Sequence, residues 1–268
     1  MNDLFYIEEK NGVETLKCRP FAEIPFLRHG FSTRKGGVSQ GDYAAMNFSL
    51  DRESEEIVAE NYRRFCAANG FSPQSLALTQ QTHTTCVREA KADLIGKGRS
   101  TIGRDIDGLV TKAQGLGLIC FTADCVPILL VDPMAKVVAA VHSGWRGTVG
   151  RIGKNAVEQM IALGASSENI LAAIGPSIGP CSFEVGPEVQ QEFDKAFQGA
   201  LPHRPSHREG HSMVDLWAAN RLVLQGAGLQ ENHIFAAEVC TFCNNQSFYS
   251  HRYTNGRRGS LIGAIAIG

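Results

Sequence analysis

The 268-residue sequence predicts an α+β fold, a single domain over 1–268 in which short strands and amphipathic helices are mixed along the chain. Three observations predict it. Short runs rich in Val, Ile and Leu, bounded by Gly, Asn or Asp-Pro, recur from Leu4 to the C-terminus and read as strands. Longer segments with apolar residues at helical spacing separate them. No Ser-rich linker, composition break or internal repeat divides the chain.

Taken in order, residues 4–18 read as strand, turn and strand, because Asn11-Gly12 is a strong hairpin turn. Residues 29–33 form a further strand. The segment that follows, Arg34-Lys35-Gly36-Gly37-Val38-Ser39, is either a cradle of amides and cations for an anion or a plain solvated turn. Residues 53–70 predict a helix with Ile57, Tyr62, Phe65 and Cys66 on its apolar face and Gly70 as its stop. Strands at 76–80 and 85–89 flank Gln81-Thr82-His83. Residues 91–106 are polar and Gly-rich and read as a loop. Strands follow at 107–111 and 116–121.

The chemistry concentrates between Thr122 and Gly147. Residues 128–131 and 137–141 are β-branched-rich and joined by a turn that starts Asp132-Pro133, a type I signal. A register that pairs Asp132 with Ala135 sets Cys125 opposite His142, with Cβ atoms about 5 Å apart. Three readings of that pair stand open: a buried thiol beside a hydrogen-bonded histidine, a Cys125 nucleophile activated by His142, or a metal site. A metal site needs a third ligand and an open position, and His83 at a strand end is the best third donor.

Beyond the hairpin, a helix at 149–163 carries Ile152, Val157, Met160 and Ile161. A strand at 170–174 leads into a Gly- and Pro-rich loop to Glu184. Helices at 187–198 and 215–226 and strands at 233–238 and 261–267 complete the chain.

Several patterns fail their motif. Gly147-Thr148-Val149-Gly150-Arg151-Ile152-Gly153-Lys154 departs from the phosphate-binding loop in glycine spacing and ends in Asn155. His203, His207 and His211 have helical spacing, but Pro205 and Gly210 interrupt the helix, so they read as a mobile solvated loop. Cys240-Thr241-Phe242-Cys243 is a lone CxxC, read as ordinary thiols before a zinc knuckle or redox pair.

Net charge of -1, with cations spread along the chain, argues against a nucleic-acid binder. The N-terminal residues lack the pattern of a signal peptide, and no apolar run suits a membrane helix. Eight cysteines are then expected as thiols in a reducing cytoplasm.

Three blocks together resemble a known family: Gln81-Thr82-His83, Thr122-Ala123-Asp124-Cys125-Val126-Pro127 and His142-Ser143-Gly144-Trp145-Arg146-Gly147. They match the signatures of the YfiH (DUF152) family, whose members also carry the label multicopper polyphenol oxidase or laccase. Ser32 to Ser39, Asp107-Gly108-Leu109-Val110, the run from Ile174 to Cys181 with Glu184, and Cys240-Thr241-Phe242 extend the likeness along nearly the whole chain. His251-Arg252-Tyr253 departs from an expected two-arginine pattern.

The resemblance implies layered mixed sheets flanked by helices, similar to the catalytic domain of cytotoxic necrotizing factor toxins. It implies a zinc site at His83, Cys125 and His142, with copper as the alternative metal, and Cys125, His142, Asp124 and Arg146 as catalytic residues. Arg34, Lys35, Asn47, Asp107, Cys181 and Glu184 form the implied set for substrate and phosphate. The implied partners are a small-molecule nucleoside and phosphate, with phosphorolysis of adenosine, inosine and methylthioadenosine and deamination of adenosine. Alternatives are a cysteine-dependent amide hydrolase on peptidoglycan precursors, a copper polyphenol oxidase and a metal-binding protein without turnover. One Cys and two His make a single three-ligand site, which disfavours an oxidase needing several coppers.

Overall fold

The computed structural model describes residues 3–51, 53–201 and 204–268. Two large sheets stack face to face. The seven-stranded one runs in the order Phe5–Lys10, Val13–Cys18, Leu27–Ser32, Leu261–Ile267, Gly117–Thr122, Ser75–Gln80, Gly98–Arg104. The six-stranded one runs Ile234–Ala236, Leu171–Ile174, Val126–Asp132, Val137–Ser143, Gly108–Thr111, Val87–Glu89. Glu184–Val185, Ser212–Met213 and Arg204–Pro205 make a small third sheet.

Strand Val126–Asp132 is apolar at nearly every position because both its faces are buried, so its pattern does not alternate. Leu129 and Val131 meet Leu118, Ile265 and Phe31 between the two sheets. Ile128 and Leu130 face the other way, into a core with helices Ile152–Ala162, Pro187–Phe197 and Leu216–Gly226. Helix Glu55–Asn69 covers the outer face of the seven-stranded sheet, with Val58, Tyr62, Phe65 and Cys66 against Leu76, Ile119 and Ile262. The layers therefore run helix, sheet, sheet, helices.

The Asn11-Gly12 hairpin forms with Lys10 opposite Val13, both turn residues at positive φ. Gly70 ends its helix in the left-handed region at φ 74° and sends its N–H to the Cys66 carbonyl, while Cys66 is buried. Asp215 caps Leu216–Gly226 by accepting the N–H groups of Trp217 and Ala218.

Three expectations change. Residues 91–106 contain strand Gly98–Arg104, which pairs in parallel with Ser75–Gln80 at the sheet edge. An edge strand buries neither face fully, so its polar sequence carries no strand signal. The predicted helix at 149–163 splits: Trp145–Val149 and Ile152–Ala162 are separated by Gly150 and by Arg151 at φ 63°. Ile161 points away from the core and is exposed. Pro205 pairs with Ser212, which closes 206–211 into a loop containing His207 and His211; His203 lies outside the described residues. No described helix is long and apolar enough to cross a membrane.

Candidate metal centre

The hairpin that carries the site closes with Asp132 opposite Val137, two residues away from the expected register. Asp132 explains the shift. Its Oδ1 accepts the N–H groups of Met134 and Ala135 at 2.8 and 2.9 Å, stabilising a four-residue loop. His142 consequently faces Pro127, not Cys125. A slip by two preserves which face each side chain occupies, so Cys125 and His142 still converge. Beyond the last pair, Val126 with Ser143, the chain brings Cys125 across from Gly144. A Cβ on Gly144 would lie 2.6 Å from His83 Cδ2 and 3.3 Å from Cys125 Sγ. Only glycine leaves room there for the two side chains to meet.

His83 reaches the same place from the seven-stranded sheet. Gln81 pins its loop by acting as a rung of the ladder, donating to the Phe121 carbonyl at 2.8 Å and accepting its N–H at 2.7 Å. Asp107, on the other sheet, accepts the backbone N–H groups of Thr82, His83 and Thr84 and the Thr84 hydroxyl. His83 is thereby held at φ 66°, a costly conformation for a non-glycine residue. Its Nε2 stands 3.7 Å from Cys125 Sγ, and its ring meets His142 edge-on with centroids 4.9 Å apart. The ligand atoms of His83, Cys125 and His142 all lie within 4.8 Å of one another.

Asp107 also fixes His142. The carboxylate is 2.7 Å from His142 Nδ1, so that nitrogen carries the hydrogen and Nε2 is left for the cleft side. Burial pushes the Asp107 carboxyl up, but the bonds from His142 and Thr84 prevail and hold it down to about 2. Burial likewise opposes charge on Cys125, yet His142 and His83 draw its thiol down to about 6. His142 moves in the opposite direction, to about 9, as Cys125 and Asp107 outweigh its burial. With no metal bound the two shifts favour a thiolate beside an imidazolium, and a cation ligated there would take the place of the His142 Nε2 proton.

The donor set fits zinc: a thiolate, two imidazoles, a carboxylate behind one imidazole, and an open side toward a cleft. That cleft measures about 980 Å³ and lies between the helix Glu55–Asn69 side and the C-terminal loop. Tyr62 and Phe121 line it, with Arg99, Arg104, Arg252 and Arg258. Arg258 is the most telling of these. Its Nη1 donates to Gly259 O and Ser260 Oγ, while its buried Nε finds no acceptor among the described residues.

The residues expected for catalysis, with Asp124 and Arg146 among them, and those expected for substrate and phosphate divide. Asp107 sits behind His142, as described, and Asp124 borders the cleft. Both carboxylate oxygens of Asp124 are engaged, by Thr241 Oγ1 at 2.6 Å and the Arg252 N–H at 2.7 Å. Arg34, Lys35, Asn47, Arg146, Cys181 and Glu184 stand outside the cleft lining. Arg34 donates to the carbonyls of Ala44 and Asn245 and stacks on Tyr249; Lys35 pairs with Glu14. Asn47 is buried and bonded to Ser49, Glu53 and Ser260. Arg146 lies over Trp145, Glu184 accepts from Ser206, and Cys181 meets Cys243. Sequence reasoning gave none of the four cleft arginines a role, and Arg252 entered it only as part of His251-Arg252-Tyr253. The cation-rich segment around Arg252 and Arg258 was a signal for those two, whereas Arg99 and Arg104 lie in the polar edge strand that carried none.

Two imidazoles and a thiol that could hold one metal ion, under an arginine-lined cleft on a stack of two mixed sheets, define the class of protein. The family model described as multi-copper polyphenol oxidoreductase laccase matches residues 28–268. The chain belongs to that family, the YfiH family. It is 41% identical over 251 residues to a purine nucleoside phosphorylase of Deinococcus radiodurans, covering 91% of this chain and 93% of that one. It is 38% identical over 233 residues to adenosine deaminase RL5 of an unknown prokaryotic organism, covering 83% and 87%. The crystal structure of Bacillus licheniformis hypothetical protein YfiH superposes with a TM-score of 0.87 at 25% identity, covering 100% of both chains.

Proposed function

We propose that this chain is a zinc-dependent purine nucleoside enzyme, which cleaves adenosine, inosine and methylthioadenosine with phosphate and deaminates adenosine. The observation that carries it is the His83, Cys125 and His142 centre opening onto a cleft that pairs aromatic walls with four arginines. The names of its relatives support the same class.

In phosphorolysis a phosphate oxygen bonds to C1′ of the ribose and the base leaves with a proton. In deamination a water oxygen bonds to C6 of adenine and ammonia leaves. Zinc held by the three ligands would supply Lewis acidity toward an oxygen nucleophile. The chain's own residues do the rest. Phe121, half-buried in the cleft wall, offers a flat surface to the purine, while buried Tyr62 backs Arg99, whose guanidinium stacks on its ring. Arg258 and Arg252, both in the cleft lining, bind the phosphate dianion through their guanidinium groups; Asp124 holds the Arg252 backbone in place. Asp107 keeps the His142 ring in one orientation.

The eight free thiols suit a reducing compartment, and the cytoplasm is the expected location. The polyphenol-oxidase reading would need several His-rich copper sites. Among the described residues the two clusters able to ligate a metal contain only two histidines between them.

The test is product analysis after incubating metal-loaded protein with adenosine, with and without phosphate. Adenine formed only with phosphate establishes phosphorolysis, and inosine establishes deamination. Formation of neither adenine nor inosine would overturn the proposal.

A further inference from the structure

Three of the remaining cysteines converge some way along the chain from the first centre. Cys240 and Cys243 belong to the turn Cys240-Thr241-Phe242-Cys243, and Cys181 ends the Gly- and Pro-rich loop after Leu171–Ile174. Their sulfur atoms all lie within 4.8 Å of one another, with Cys181 and Cys243 only 3.6 Å apart. Sulfurs bound to one zinc at about 2.3 Å in a tetrahedral set stand close to that spacing. The Ser182 hydroxyl sits among them, 3.5 Å from the sulfurs of Cys181 and Cys243 and 3.6 Å from that of Cys240.

The cluster is assembled by backbone, not by chance proximity of long side chains. Ser177 and Cys240 form a parallel bridge: Ser177 N–H goes to the Val239 carbonyl and Thr241 N–H to the Ser177 carbonyl. Gly179 donates its N–H to Cys240 Sγ at 3.2 Å, which favours a thiolate there. A Cβ on Gly179 would lie 3.1 Å from the Cys240 Cβ and 2.7 Å from Trp217, so the approach needs glycine. Cys240 is buried, while Cys181 and Cys243 are exposed and give an ion a way in. Thiols left as thiols would gain nothing from this convergence, because S–H groups are weak donors and weak acceptors.

We propose that Cys181, Cys240 and Cys243 form a second metal site that takes a soft, thiophilic d10 cation, Zn2+ or Cu+, separate from the His83 centre. As the metal–sulfur bonds form, each thiol gives its proton to solvent, and a water or the Ser182 hydroxyl completes a fourth position. Thr241, between two of the ligands, is also the donor to Asp124 beside Cys125, so the two sites share a wall.

The probe is Cd2+, added to reduced, metal-stripped protein kept free of oxygen, with retained metal counted after desalting. Ultraviolet thiolate-to-metal absorption reports sulfur ligation. The wild-type chain is expected to retain two equivalents, and the Cys181→Ser/Cys243→Ser variant one, with most of the absorption lost. Both substituted residues are exposed, and the circular dichroism spectrum checks that the variant folds. A His83→Ala/His142→Ala variant is expected to keep the equivalent that Cys181→Ser/Cys243→Ser loses. That readout is independent of whether the first site works on nucleosides. Displacement of the second Cd2+ by Zn2+ or by Cu+ in separate arms identifies the preferred cation. Equal retention by wild type and the Cys181→Ser/Cys243→Ser variant would overturn the site, as would a Cd2+ that neither ion displaces.

Discussion

Nδ1 of His142 lies 2.7 Å from Oδ1 of Asp107, and the same carboxylate accepts the backbone N–H groups of Thr82, His83 and Thr84. One buried side chain thus sets the orientation of a histidine on one sheet and the loop of a histidine on the other. Asp107→Asn keeps the shape but turns one acceptor into a donor. We expect metal affinity to fall about 10- to 100-fold, read by competition with a chromogenic chelator. Asp107→Ala leaves the buried His142 Nδ1–H unpaired, expected to cost roughly 1–3 kcal/mol in urea unfolding, while the part-buried N–H groups of Thr82, His83 and Thr84 can turn to water and add less. Unchanged affinity in Asp107→Asn would mean that Asp107 does not orient a ligand.

Gly144→Ala tests whether the three donors must touch. Gly144 has φ -68°, open to any residue, so alanine introduces no backbone strain. The added methyl would instead collide with His83 Cδ2 at 2.6 Å. The expected outcome is a protein with near-native melting temperature that binds zinc weakly. Full zinc retention together with full activity would show that the ring of His83 can move aside at no cost.

Arg258→Gln tests the phosphate assignment. A charge-assisted hydrogen bond is worth about 1.5–3 kcal/mol, so the KM for phosphate is expected to rise by about tenfold or more. Deamination of adenosine, which uses no phosphate, should change much less. Equal losses in the two reactions would place Arg258 in general support of the cleft.

The sequence carried the strands and helices well where burial writes a period into the chain, as in Glu55–Asn69, or a run buried on both faces, as in Val126–Asp132. The Cys125–His142 register was legible only in its face, because Asp132 chooses the loop length through two side-chain bonds that no apolar pattern encodes. Edge strand Gly98–Arg104 has little to bury, and so looked like loop. His83, Cys125 and His142 were singled out by residue type, and their ligand atoms converge to within 4.8 Å of one another. Cys181 joining Cys240 and Cys243 depends on the Ser177–Cys240 bridge, a long-range pairing with no local signal. Arg34 and Lys35 show the converse: two cations beside two glycines looked like an anion cradle, but Arg34 is engaged by distant carbonyls and Lys35 by Glu14.

His29 supplies a test of stability against pH. It is buried, its Nε2 accepts the Cys18 N–H at 3.0 Å, and its carbonyl accepts from Lys17 Nζ at 2.6 Å. Burial, with the Lys17 charge, drives its pKa down to about 3 from an unfolded value near 6.5. The native state therefore binds fewer protons than the unfolded chain between those values. Stability present above about pH 6.5 should fall as pH drops toward 3, with a slope of at most about 1.4 kcal/mol per pH unit from this group. His142 works in the opposite window, since its raised pKa gives stability that fades only as pH climbs toward 9. Urea midpoints of wild type and His29→Gln, compared between about pH 7 and pH 5, should diverge in slope. Parallel curves would remove His29 as the source.

The last prediction separates Cys125 as ligand from Cys125 as nucleophile. In either role its sulfur is a thiolate, drawn down to about 6 against its burial by His142 and His83. A sulfur bound to zinc has its lone pair committed and reacts slowly with iodoacetamide, whereas one paired only with His142 reacts fast. Cys18, Cys66 and Cys120 stay out of the assay, because burial pushes each thiol up to about 12. Exposed Cys181 and Cys243 do not stay out, so the label must be located by peptide mapping. We expect Cys125 to label slowly in zinc-loaded protein and roughly tenfold faster or more once a chelator has removed the metal. Activity should then fall in step with labelling only in the stripped and reloaded sample. Fast labelling of Cys125 with zinc still bound, and activity lost at the same rate, would instead make Cys125 the nucleophile and favour the amide hydrolase.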